Sequence, residues 1–81
     1  METIHLDNYL KDGILIEKDF RRKVEETDWN IYLNKKVLIK GCASVPIPTW
    51  AYMIIASELV PYSKQILYGE SCSAYKIYSK H

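Results

Sequence analysis

The sequence predicts a small α/β fold: a βαβαβ-type sheet of about four short strands, two helices, a parallel βαβ crossover and an edge strand at the C-terminus. Residues 37–39 form a continuously apolar run, β-branched at two of three positions. Such a run is typical of a strand buried on both faces of a parallel sheet. An apolar helical segment, residues 50–60, separates it from a second apolar strand at residues 65–68. A connection of this length predicts a right-handed crossover between parallel strands.

Hydrophobic periodicity predicts the other elements. Apolar and polar residues alternate around residues 4–6, which predicts a first strand with one buried face. Apolar side chains recur every four residues over about residues 18–27 and predict an amphipathic helix. Ahead of the second helix, Thr49 can act as the N-cap, or Pro48 can occupy the first turn. Alternation over residues 75–78 predicts the edge strand.

Length and composition limit the possible functions. The chain has 81 residues and 48% hydrophobic content, which predicts a single α/β domain over residues 1–81. Eleven Lys and Arg against ten Asp and Glu leave a net charge of +1, which argues against a nucleic-acid surface. No segment reaches the roughly 18 apolar residues of a membrane span, and we expect no signal peptide. We therefore expect a cytoplasmic protein whose two cysteines stay reduced.

The second predicted helix is apolar on nearly all sides. One sheet in a monomer of this size covers only one side of such a helix. We therefore predict a homodimer that buries the helix, with the chain as half of a dimeric unit. The candidate interface residues are Trp50, Met53, Ile54, Ile55 and Leu59.

Both cysteines are predicted at one edge of the sheet. Cys42 follows the first buried strand and Cys72 lies just past the second, so both fall at the carboxyl edge, where open α/β folds place ligand sites. Together with Glu70 they form the candidate ligand or metal set. The alternative is that Cys42 packs as a small hydrophobe. For Cys72, which lies in a polar turn, a structural and a functional role both stay open.

The sequence lacks the pattern of a catalytic site. It has no CxxC motif, and its two histidines, His5 and His81, lie at opposite ends of the chain. A thiolate nucleophile needs a positioned base or a lowered pKa, and Lys40 is the one cation close to Cys42 in sequence. We predict no catalytic residue, and the sequence favours a protein that is not an enzyme. Seven tyrosines without a matching basic stripe favour packing over nucleic-acid stacking.

Three ordered motifs, "KGCASVPIP", "WAY" and "YGESCS", resemble domain-of-unknown-function family 2480, a set of bacterial proteins. The resemblance covers about residues 14–80. Around the candidate set it points to supporting residues in these motifs: Lys40, Gly41, Pro46, Pro48, Tyr52, Gly69 and Ser73.

The resemblance implies that this chain is one half of a longer unit. Typical members are about twice as long and contain two related halves, so two copies of this chain can rebuild what a long member makes from one. Members are often encoded near iron–sulfur assembly components, which implies a use for two thiols at the edge. The chain departs from the family where Tyr75 and Lys76 stand in place of a Val-Pro pair.

Two hypotheses of different classes follow. In the first, the chain is a homodimeric accessory protein that binds a metal or iron–sulfur species, or hands sulfur to a partner, through Cys42 and Cys72. In the second, it is a structural or protein-interaction module with buried cysteines. The element order also resembles small STAS-like regulatory domains, which act by binding partners, and this analogy favours the second hypothesis.

Overall fold

The computed structural model describes residues 1–41, 44–70 and 72–80. These residues form a four-stranded mixed sheet and two helices, which confirms the predicted α/β class with its C-terminal edge strand. Two short 3-10 turns, at Leu6–Tyr9 and Trp29–Tyr32, were not predicted. In chain order the elements are β1 (Glu2–His5), α1 (Glu17–Glu26), β2 (Lys36–Lys40), α2 (Thr49–Leu59), β3 (Gln65–Tyr68) and β4 (Tyr75–Ser79).

The strands lie in the order β1-β2-β3-β4. β1, β2 and β3 are parallel, and β4 pairs antiparallel with β3. The last pairing contains a bulge, because Ile66 lies opposite Tyr78 whereas Leu67 lies opposite Lys76. Ile77 is thus the extra residue on β4. Each parallel connection contains one helix, as the predicted crossover requires.

Both helices pack on the same face of the sheet. Ile4, Val37, Ile39 and Ile66 point to this face, because they occupy paired or alternate positions of the first three strands. From the helices, Phe20 and Val24 of α1 and Ala51, Ile55 and Leu59 of α2 complete one buried cluster. β2 is buried throughout its centre, which confirms the prediction for residues 37–39.

α1 begins and ends close to its predicted limits. Its exposed side carries ion pairs one turn apart, with Arg21 Nε 2.9 Å from Glu17 Oε2 and Arg22 paired to Asp19. At its end, Trp29 Nε1 donates a hydrogen bond of 3.1 Å to the Val24 carbonyl. The Thr27 amide also donates to this carbonyl, at 3.3 Å, so the indole adds a second donor there and fixes the turn that leads to β2.

α2 begins between the two predicted capping schemes, with Pro48 at the N-cap and Thr49 as the first helical residue. This start is one residue earlier than a Thr49 cap requires and one residue later than Pro48 in the first turn requires. Its buried side faces the chain's own sheet. Ile55 and Leu59, predicted at a dimer interface, are both 0% exposed within one chain, so neither contributes to a surface. Among the described residues no helix is long and apolar enough to cross a membrane.

Candidate functional site at the carboxyl edge

The chain segments that follow β2 and β3 lie side by side. The Gly69 amide donates a hydrogen bond of 3.1 Å to the Ile39 carbonyl, which extends the strand pairing past the end of β3. Lys40 Nζ lies 3.4 Å from Glu70 Oε2 across the same gap. Both side chains are partly exposed, so this ion pair contributes little stability and mainly orients the two segments.

Tyr52 of α2 lies against the chain where it leaves β2. A Cβ atom at Gly41 would overlap the Tyr52 hydroxyl, so any other residue at this position requires the Tyr52 side chain to move. The Tyr52 ring contacts the ring of Tyr68 at 6.0 Å, and Tyr68 in turn contacts Tyr75 at 5.7 Å. Three aromatic rings thus run from α2 across the ends of β3 and β4.

The environment of Tyr52 favours its neutral phenol. Burial raises the pKa of Tyr52, and the nearby Glu70 carboxylate and Tyr68 raise it further. The carboxylate acts in this way because it disfavours a second negative charge. The phenol therefore remains a hydrogen-bond donor at neutral pH.

Of the two predicted thiols, the structure describes only that of Cys72. Cys72 is a free, exposed cysteine in the connection between β3 and β4. That connection is shaped by Gly69, whose φ of +114° favours glycine, and by the Ser73 amide, which donates to the Glu70 carbonyl at 3.0 Å. Cys42 lies outside the described residues, and so does the predicted influence of Lys40 on its thiol.

The structure brings together six of the predicted site residues, and these are Lys40, Gly41, Tyr52, Gly69, Glu70 and Ser73. Of the two predicted prolines, Pro46 is exposed and Pro48 partly buried in the loop before α2. In the described part of the chain, no group of three or more His, Cys, Asp or Glu side chains can hold a metal ion.

Sequence reasoning missed one residue at this edge. His5 ends β1 in register with Lys40, so an exposed imidazole shares the carboxyl edge with the ion pair. In the sequence, His5 and His81 stand at opposite ends of the chain, which predicts no histidine at this site. The position of His5 follows from the parallel pairing of β1 with β2, which brings the two strand ends together.

A second surface adjoins the carboxyl edge. A groove of about 410 Å³ lies between α2 and the β3–β4 end of the sheet; we call it the α2 groove. Met53, predicted at a dimer interface, is 66% exposed beside it, whereas Trp50 and Ile54 are partly buried. The described residues that line the α2 groove are Thr49, Tyr52, Met53, Ala56, Tyr68 and Ile77.

The fold and these surfaces define a two-layer α/β protein with helices on one face of a mixed sheet. The chain belongs to the family described as "Protein of unknown function (DUF2480)", whose model matches residues 1–59 and 30–80. Residues 30–59 lie in both matches, which is consistent with a repeated half-domain. No curated protein and no solved structure matches the chain.

Proposed function

We propose that the chain is a non-catalytic interaction module that works as a homodimer, with the α2 groove as its docking surface. The exposed apolar side chains around this groove support the proposal. Of the lining residues, Met53 is 66% exposed and Ile77 47%. Tyr75, whose ring contacts that of Tyr68, is 64% exposed beside them. Large apolar side chains that are exposed together, rather than singly, are typical of protein interaction surfaces.

The experiment is a measurement of mass in solution. Sedimentation equilibrium over a range of micromolar concentrations should give a species of about twice the 9.5 kDa chain mass. Dimer formation should weaken on dilution, because the apolar contact is reversible. A chain that remains monomeric at every concentration contradicts the proposal.

A second candidate function uses the carboxyl edge. There, Cys42, Cys72 and Glu70 would bind a metal or iron–sulfur species or pass sulfur to a partner protein. The hydrogen bond from the Gly69 amide to the Ile39 carbonyl supports this role, because it places the segments after β2 and β3 side by side, where Lys40 and Glu70 meet. The exposed Cys72 thiol supports it as well. Both functions are proposed for the cytoplasm, where thiols stay reduced.

Native mass spectrometry tests the second candidate. Protein purified without oxygen or chelator should carry a mass adduct that chelation removes, and Cys42→Ser and Cys72→Ser should each lose it. Ser79→Ala is the control, because it changes an exposed side chain of β4 that lies outside the candidate set. An adduct-free protein whose partner binding survives both cysteine substitutions excludes this function.

A further inference from the structure

β4 is the one strand of the sheet that no crossover helix accompanies. α1 connects β1 to β2 and α2 connects β2 to β3, whereas β4 joins by antiparallel pairing with β3. Within residues 1–41, 44–70 and 72–80, four of the five residues of β4 are exposed, and Tyr78 alone of this strand packs against the core. Ile77 and Tyr68 form the sheet wall of the α2 groove for this reason.

We propose that α2 of a second copy fills this groove, so that each α2 helix covers the β4 strand of its partner. This inference rests on the proposed homodimer and identifies the contact that forms it. The helix that β4 lacks in one chain is then supplied by the other. The two α2 helices pack along each other, with Met53 of each copy inserted in the groove of its partner.

The groove wall on α2 is suited to a two-fold contact. Thr49, Tyr52, Met53 and Ala56 are spaced three and four residues apart and form one stripe of the helix. In a two-fold interface the same patch serves both copies, so it must contain both a projecting and a receiving feature. Met53 projects, and the small Ala56 beside it lets a second helix approach. A methionine side chain adapts well to such a groove.

The absence of charge favours an identical copy as the occupant. The six described lining residues are all uncharged, although the chain has 21 charged residues, 11 basic and 10 acidic. A two-fold contact brings identical residues close to one another near its axis, where like charges would repel. A groove built for a charged peptide would carry the opposite charge instead.

The family pattern also favours a second copy. The residues matched twice, 30–59, contain both β2 and α2. The double match is consistent with a repeated half-domain that has an equivalent of α2 in each copy. In a chain with one such unit, a second copy supplies the second α2 helix.

Substitution of Met53 tests the contact. Met53→Lys should weaken the dimer about tenfold or more, because it places a charge in the apolar groove of each partner. Ile31→Lys is the matched control, since Ile31 is 58% exposed on a 3-10 turn outside the groove. It should leave the dimer dissociation constant unchanged. Both variants should keep the circular dichroism spectrum of the wild-type chain, because neither side chain is buried.

Isotope-filtered NMR locates the contact directly. The chain has two methionines, so the Met53 methyl signal is assigned by its loss in Met53→Leu. In a mixture of methyl-¹³C-methionine-labelled and unlabelled copies, the Met53 methyl should show intermolecular NOEs to tyrosine ring and isoleucine methyl protons. A dimer that lacks these NOEs overturns this inference and leaves the proposed function standing. A chain that is monomeric throughout overturns both.

Discussion

The contact between Gly41 and the Tyr52 hydroxyl connects the end of β2 to α2. A side chain at position 41 would overlap that hydroxyl. Moving the Tyr52 ring to relieve the overlap would disturb its contact with the Tyr68 ring. We expect Gly41→Ala to lower the free energy of unfolding by about 1–3 kcal/mol, the usual cost of overpacking. Urea unfolding monitored by circular dichroism measures this change.

The control is the same substitution in a chain that lacks the hydroxyl. In Tyr52→Phe, the Gly41→Ala substitution should cost less than it does in the wild-type chain, because the overlapping atom is gone. Equal costs in the two backgrounds would show that the glycine is needed for a backbone reason unrelated to Tyr52.

The raised pKa of Tyr52 gives a pH dependence of stability. Its ordinary value is 10.0, and burial, Glu70 and Tyr68 raise it in the folded chain. The folded state therefore holds the phenol proton more tightly than the unfolded state does. The stability that this tighter proton binding contributes is fully present below about pH 10. It is lost as the pH rises through the folded pKa of Tyr52.

Tyr52→Phe should remove this part of the pH dependence. In urea unfolding at increasing alkaline pH, the free energy of unfolding should fall less steeply for Tyr52→Phe than for the wild-type chain. Glu70→Gln should give an intermediate slope, because it removes the second cause of the shift and keeps the burial. Identical slopes for all three proteins would contradict the assignment to Tyr52.

At the scale of the element, the two sides of α2 should respond differently to truncation. Ile55→Ala should lower the free energy of unfolding by about 2–5 kcal/mol, because Ile55 is fully buried against the sheet. Met53→Ala should change it by less than about 0.5 kcal/mol when the chain is diluted to a monomer, because Met53 is exposed. Equal effects would mean that the helix is rotated relative to this description.

Local patterns predicted most of the elements well. β3 was predicted at its observed limits, and α2 within one residue at each end, because apolar runs and prolines mark both. β1 was predicted around residues 4–6 but spans Glu2–His5, and Leu6 begins a 3-10 turn. Leu6 is still buried, so its apolar position fits a strand equally well.

The candidate site was predictable only in part. Its place at the carboxyl edge follows from parallel strands, which local patterns revealed. The packing of Tyr52 on Gly41, the alignment of His5 with Lys40 and the extra residue Ile77 depend on how distant segments align. Pairing register of this kind is set by tertiary packing, so one sequence gives no local sign of it.

At the scale of the whole molecule, the proposed dimer couples folding to concentration. A dimer that forms only from folded chains stabilises the folded state by mass action. The Tm of the wild-type chain should therefore rise with protein concentration, and the Tm of Met53→Lys should rise less over the same range. Differential scanning calorimetry over a wide concentration range measures both. A wild-type Tm that stays constant argues against dimerisation.

The bulge at Ile77 also has a consequence for solubility at the exposed edge of the sheet. β4 is an edge strand rich in tyrosine and isoleucine, a composition that readily adds further strands and grows into fibrils. An extra residue breaks the regular hydrogen-bond spacing and increases the local twist of the strand. Lys76, exposed beside the bulge, adds a charge that a stacked copy would have to bury. The irregularity thus makes β4 a poorer template for a further strand than a regular edge of the same composition would be.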